Sequence, residues 1–210
     1  MEKLDFKRRD KALYAARPDG WQRVEIPEMA FLAIDGQGDP NGPGYAAALM
    51  ALYPMAYGVK FAEKAAGRDF AVPPLEALWW ADDPAAFHAD DRSDWRWTAM
   101  LRVPETVTAG AVEAVRAGVL AKQLKKADGA DPGLIAAVRL ERFAEGDCLQ
   151  HLHVGPYADE APVLAALHSE VMPAMGLTFG GKHHEIYLGD PRRVAAEKLK
   201  TILRQPVRPL

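Results

Sequence analysis

The chain has 210 residues, 49% of them hydrophobic and 26% charged, with a formal net charge of −3. That length can bury a sizeable core, and the slight acidity argues against direct nucleic-acid binding, which calls for a basic excess. The single cysteine, Cys148, excludes an intrachain disulfide and a multi-cysteine zinc site, while the charged N-terminus is no signal peptide and no run approaches the roughly 20 apolar residues of a membrane span. A cytoplasmic location without membrane contact is the expectation.

Residues 1–27 alternate in charge around Pro18 and Gly20 and read as an N-terminal arm, too short for a DNA-reading helical module. Glu28–Asp35 reads as a strand, continuously apolar from Met29 to Ile34, and Gly36–Gly44 as a dense turn. A helix follows from about Tyr45 to Ala66, with a kink expected at Pro54. Leu75–Ala81 is a strand that puts Trp79 and Trp80 on opposite faces, stopped by Asp82-Asp83-Pro84 ahead of a polar, acidic connection to Ser93. Trp95–Val103 alternates cleanly, with Trp95, Trp97, Ala99, Leu101 and Val103 on one face. Thr108 caps a helix striped by Val112, Val115 and Val119.

The second half reads as strand Leu134–Phe143, a turn at Glu145-Gly146-Asp147 and strand Cys148–Val154. Gly155-Pro156-Tyr157 then leads into a helix capped near Asp159, followed by a glycine-rich loop over Gly176–Gly181. A strand of about six residues starts at His183 and ends at Gly189-Asp190-Pro191, and Ala195–Leu203 reads as a short basic helix. The order strand, Gly/Pro turn, helix, strand and Asp-Pro occurs twice, over about 28–104 and 105–192. This predicts an α+β fold of duplicated strand–helix–strand–strand units with pseudo-twofold symmetry. Its strands form one antiparallel sheet or two abutting ones, with helices on one face and a cleft on the other. Aligning the two Asp-Pro turns sets Trp80 against Tyr187, so that these two line the cleft from opposite halves.

Period-two alternation sends His184, Ile186 and Leu188 to one face and His183, Glu185 and Tyr187 to the other. A carboxylate in mid-strand between a histidine and a phenol marks either a solvated sheet face or the floor of a ligand cleft. Buried among rings, Glu185 would work as a general base or attract a cation. Trp79, Trp80, Trp97 and Tyr53 supply surface for stacking a flat or cationic ligand, unless they are simply core. Among the six histidines, His151 and His153 share a strand face with His183 or His184 within conceivable reach, but no metal-ligand spacing connects them, and no metal is expected. The Gly36–Gly44 spacing matches no nucleotide fingerprint, no nucleophile elbow is present, and no motif calls for a cofactor.

On His184–Arg193, Gly155-Pro156-Tyr157, the duplicated order and the tail Glu197–Pro206, the chain resembles the GyrI-like small-molecule-binding family over roughly residues 20–208. The most specific piece is Glu185-Ile186-Tyr187-Leu188, followed after one residue by Asp190-Pro191-Arg192-Arg193. The resemblance implies a pseudo-twofold domain over 28–208 with an aromatic cleft for hydrophobic, often cationic compounds and an acidic residue at its base, here Glu185. Stand-alone members similar to this chain include hydrolases that open the cyclopropane ring of DNA-alkylating natural products. For that activity Glu185 would deprotonate water, and Tyr157 or Tyr187 would hydrogen-bond the substrate carbonyl. Trp79, Trp80, Trp97, Tyr53 and His183 would line the site. The alternatives are a sensor or scavenger that only binds its small-molecule ligand, and a gyrase-inhibitor-like protein acting on a protein partner; a homodimer also stays open.

Overall fold

A computed structural model of the chain describes residues 3–82 and 92–210. The expected Asp83-Pro84 stop and most of the acidic connection lie outside the described residues. The elements, in chain order, are α1 (Phe6–Arg9), α2 (Lys11–Tyr14), β1 (Gln22–Ile26), β2 (Met29–Gln37), α3 (Pro43–Ala65), β3 (Glu76–Trp80) and β4 (Arg96–Val103). They continue with α4 (Ala109–Gln123), α5 (Pro132–Ala137), β5 (Arg139–Phe143), β6 (Gly146–Val154), α6 (Glu160–Ala166), α7 (Met172–Ala174), β7 (Leu177–Phe179), β8 (His183–Tyr187) and β9 (Lys200–Pro209). The fold is α+β, with every strand pairing antiparallel.

The strands run in the order β1-β6-β9-β8-β3-β4-β2-β5, with β7 added to the far end of β9. β3 and β8 pair at the centre, and each is flanked by the rest of its own half. The outermost strands are exchanged. β1, which leads into the first half, pairs with β6 of the second, and β5, which leads into the second half, pairs with β2 of the first. Each crossing strand ties its own half to the edge of the other, so the halves interlock.

Apolar residues collect on the front face in two places. Leu32, Ile34, Leu101 and Val103 meet α3 and α4, which approach closely because a side chain at Gly58 would collide with Val115. Leu149, Leu177 and Val207 meet Leu167 and Met172 of the second helical segment. Between these two cores the sheet floor over β3 and β8 is left open.

The reverse face carries a buried polar cluster. His184, with 0% exposure, sits between two carboxylates: Nδ1 is 3.0 Å from both oxygens of Glu145, and Nε2 is 3.1 Å from Glu76 Oε2. Arg204 donates to Glu145 at 3.1 Å and to the Leu13 carbonyl at 2.7 Å, while the Tyr14 hydroxyl donates to Glu76 at 3.1 Å. Residues 5–17, read as an arm, thus cover this cluster, and Phe6 is buried against Phe70 and beneath Arg102.

Four expectations change. Gln22–Ile26, placed in the arm, is an edge strand. The predicted start of the strand at Leu134 is a helical turn: Asp131 accepts from the Gly133 and Leu134 amides and Pro132 follows it, a cap-and-Pro start that the apolar run obscured. The predicted helix over Ala195–Leu203 gives way to β9 from Lys200, buried on both faces between β6 and β8. Its i, i+3, i+4 apolar spacing mimics a helix, and tertiary pairing overrides it. The glycine-rich loop contains the short strand β7. By contrast α4 starts where expected, Thr108 accepting from the Ala111 amide at 3.2 Å; α3 continues as one helix on both sides of Pro54, where a kink was expected.

Burial disfavours charge on His184, but Glu145 and Glu76 outweigh it and raise its pKa to about 9. Burial likewise disfavours charge on Glu145, and His184 with Arg204 outweighs it and holds the carboxyl at about 2. The His184 contribution is therefore complete below its unfolded pKa, near 6.5, and is lost as pH rises through about 9. Between pH 6.5 and 9 the wild type should lose about 3 kcal/mol of unfolding free energy that His184→Asn does not lose. Urea titrations at the two pH values test this. Glu145→Ala, which strands two buried cations, should cost about 3–5 kcal/mol in the same assay.

Candidate functional site

The open floor between the two cores is the mouth of a cleft of about 2100 Å³. Its base is strand β8, where alternation presents His183, Glu185 and Tyr187 to the front and hides His184 and Ile186 behind. Glu185 keeps 15% of its side chain exposed, toward the cleft. The Tyr187 hydroxyl donates to Glu185 Oε2 at 2.7 Å and accepts from Trp79 Nε1 at 3.1 Å, a chain of two hydrogen bonds across the pseudo-twofold boundary. His183 Nε2 lies 3.4 Å from Glu185 Oε1.

The walls are aromatic. Tyr45, near the start of α3, stacks on Trp79 at 5.7 Å and meets Trp97 edge-on at 4.9 Å. Trp79 also meets Trp95 edge-on at 6.0 Å, and Tyr157 meets Tyr187 edge-on at 5.6 Å. Trp97 is buried behind Tyr45, its ring lying over the backbone of Gly36, where a Cβ would collide with it. This close approach explains why a glycine stands inside β2. Tyr53 is half-buried and lines the cleft farther along α3.

The cleft therefore lies on the helix-bearing face, between α3 and α6, and not on a helix-free face as expected. Trp80 also changes place. Trp79 pairs with His183 and shares the front face with Glu185, so Trp80 projects the other way, where Lys182 Nζ lies 3.3 Å from its ring centroid, and borders the cleft only at its edge. Aligning the Asp-Pro turns was off by one residue, and one residue reverses every side chain of a strand. Trp79 is the tryptophan that reaches Tyr187.

One residue of the floor went unrecognised in the sequence. Glu160 opens α6, three residues after the Gly155-Pro156-Tyr157 turn, and is buried in the cleft base. Gly155 adopts φ +144° to make that turn, and His153 Nε2 meets the Pro156 carbonyl at 3.0 Å. Burial first, then the negative charge of Glu185, pushes the Glu160 carboxyl up to about 9. An acidic residue in a first helical turn ordinarily complements the helix dipole, so only its position under the cleft distinguishes it. Burial, then Glu160 and Glu185, raises Tyr157 to about 12, and burial with Glu185 raises Tyr187 further. The floor thus carries one negative charge beneath neutral phenols.

Of the other described histidines, His151 Nδ1 lies 3.3 Å from the Gly20 carbonyl, away from the cleft. Among the described residues no group of three or more His, Cys, Asp or Glu gathers as metal ligands, and no helix is long and apolar enough to cross a membrane. Cys148 is buried and its thiol is pushed up by burial and then by Glu145, so it is no nucleophile.

An antiparallel pseudo-twofold sheet with an aromatic, singly charged cleft defines a small-molecule-binding domain. The chain belongs to the family of the GyrI-like small molecule binding domain, whose profile matches residues 22–208. It is similar to an uncharacterized conserved protein from Listeria innocua, with 40% identity over 98% of this chain and 100% of that one and a TM-score of 0.87. It is also similar to a hydrolase from Listeria innocua, with 38% identity over 98% of this chain and 100% of that one and a TM-score of 0.82. The C-terminal domain of EcmrR shares the fold, with a TM-score of 0.56 and 12% identity over 91% of this chain and 98% of that one. Comparison with curated proteins gives no match.

As pH rises through about 9, Glu160 ionises and doubles the charge of the floor. A permanently charged aromatic cation should then bind about tenfold more tightly to the wild type, and no more tightly to Glu160→Gln. Fluorescence titrations at pH 7 and pH 10 measure this difference.

Proposed function

We propose that this protein hydrolyses electrophilic small molecules, and that its substrates include cyclopropanoid DNA-alkylating compounds. The observation that carries this reading is Glu185, held by the 2.7 Å bond from Tyr187 at the base of an aromatic cleft. The likeness to a hydrolase over the full length of both chains supports turnover rather than storage.

Trp79, Tyr45 and Tyr157 present faces and edges between which a planar dienone fits. Glu185 takes a proton from a water molecule, whose oxygen bonds to the ring CH₂. The strained C–C bond breaks, and its electron pair passes through the conjugated ring to the carbonyl oxygen. Tyr157, kept protonated by its raised pKa, donates to that oxygen as it gains charge. One water is consumed, and the products are a primary alcohol and a phenol on one molecule. Tyr187 already donates to Glu185 and orients it, so its role is positioning. The reading makes the protein a cytoplasmic safeguard against alkylation.

Glu185→Gln should lower turnover of a spirocyclopropyl dienone by about 10²–10⁴-fold, with product followed by mass spectrometry. Saturable binding without product in the wild type would make the protein a scavenger or sensor. Turnover unchanged in the variant would remove Glu185 from the reaction.

A further inference from the structure

The ring opening just described leaves the second carboxyl group of the floor idle. Glu160 is buried in the lining of the cleft, its carboxyl facing the hydroxyl of Thr201, which stands opposite Tyr187 on the neighbouring strand, with no aligned hydrogen bond at its Oε1. A buried carboxyl held by so little is uncommon and calls for an explanation. Glu160 lies on the same floor as Glu185, facing the cleft from α6.

At neutral pH, Glu160 is a protonated acid close enough to Glu185 to respond to its charge. A protonated carboxyl set beside a second carboxyl group is the arrangement of an acid and a base acting together. A neighbouring acid has little to offer a cyclopropane conjugated through a six-membered ring, because the oxygen that gains charge lies across the ring from the carbon attacked. It suits a three-membered ring whose own heteroatom departs from the attacked carbon.

We propose that the same cleft hydrolyses epoxides borne on aromatic frames, with Glu185 activating water and Glu160 protonating the departing oxygen. This rests on the assignment of Glu185 as the general base. Water oxygen bonds to one oxirane carbon, and the C–O bond of that carbon breaks. The freed electron pair stays on oxygen, which takes the Glu160 proton, while the proton of the attacking water goes to Glu185. One water is added, a vicinal diol results and no electrons are exchanged. Proton transfer from Glu185 back to Glu160 through solvent restores the site. Tyr45, Trp79 and Tyr157 hold the aryl group against the floor.

The purified chain is incubated in H₂¹⁸O with styrene oxide or trans-stilbene oxide, and in parallel with a spirocyclopropyl dienone. Glu160→Gln and Glu185→Gln accompany the wild type, with circular dichroism confirming their folds. The expected result is a diol carrying one solvent ¹⁸O, formed about 100-fold more slowly by either variant. Epoxide turnover by the wild type should also fall as pH rises through about 9, where Glu160 loses its proton to a site faced by Glu185, Tyr157, Tyr187 and Thr201. That profile does not depend on any variant folding. Dienone opened with epoxides untouched would overturn the proposal and leave the base assignment standing. Loss of neither substrate in Glu185→Gln would overturn both. Epoxides opened equally well by Glu160→Gln, or at a rate flat to pH 10, would remove Glu160 as the acid.

Discussion

Strand β8 has one residue on each face that the rest of the protein is built to hold. His184 points backward between Glu76 and Glu145, and Glu185 points forward into the cleft. Taking charged groups out of water is expensive, and their attraction offsets that cost only when each is closely paired. Here the partners come from four places: β3, the turn before β6, β9 and the N-terminal segment. Each must be in position for the others to be tolerated. The cluster therefore fixes β8 against both halves of the sheet, and with it the placement of Glu185. A glutamate on a loosely held strand would not keep a 2.7 Å bond with a tyrosine that itself depends on Trp79 in the other half.

The exchanged outer strands extend the same constraint across the sheet. Because β1 and β5 each belong to one half and pair with the other, the halves cannot separate without breaking two ladders. The two front-face cores lie on either side of β3 and β8, so the gap between α3 and α6 has a fixed floor. Both outer strands carry charge along their length, Arg23 and Glu25 on β1, Arg139, Glu141 and Arg142 on β5, which discourages pairing with another chain. The arrangement favours a binding cleft whose walls are set before ligand arrives.

Much of this was legible because β8, β4 and α4 follow simple periods. Their alternation or helical spacing states which side chains share a face, and Glu185 with Tyr187 could be read from it directly. Two of the misread strands share one cause, dependence on a partner distant in sequence. β9 is a strand only because β6 and β8 enclose it, and β1 is a short, half-polar strand that β6 recruits. Trp79 and Trp80 were exchanged because an alignment of turns cannot fix the parity of a strand. Glu160 escaped notice for a different reason: nothing in its neighbours along the chain is unusual, and its chemistry comes entirely from the strand beneath it.

A floor built this way is poorly arranged for stability. Glu160 Oε1, Thr201 Oγ1 and both ring nitrogens of His183 are buried without aligned hydrogen bonds, all on the helix-bearing side. Replacing them with apolar groups would remove that penalty. The reverse face has buried atoms without aligned bonds as well, His184 Nε2, Arg204 Nε and Arg102 Nε, but each of these groups sits against an opposite charge of the protein itself. In the cleft, by contrast, Glu160 faces the like charge of Glu185, as a site would if its polar atoms were meant for a molecule that comes and goes. That like-charge contact, set among aromatic walls, fits a cleft built to receive a small molecule rather than one left over from packing.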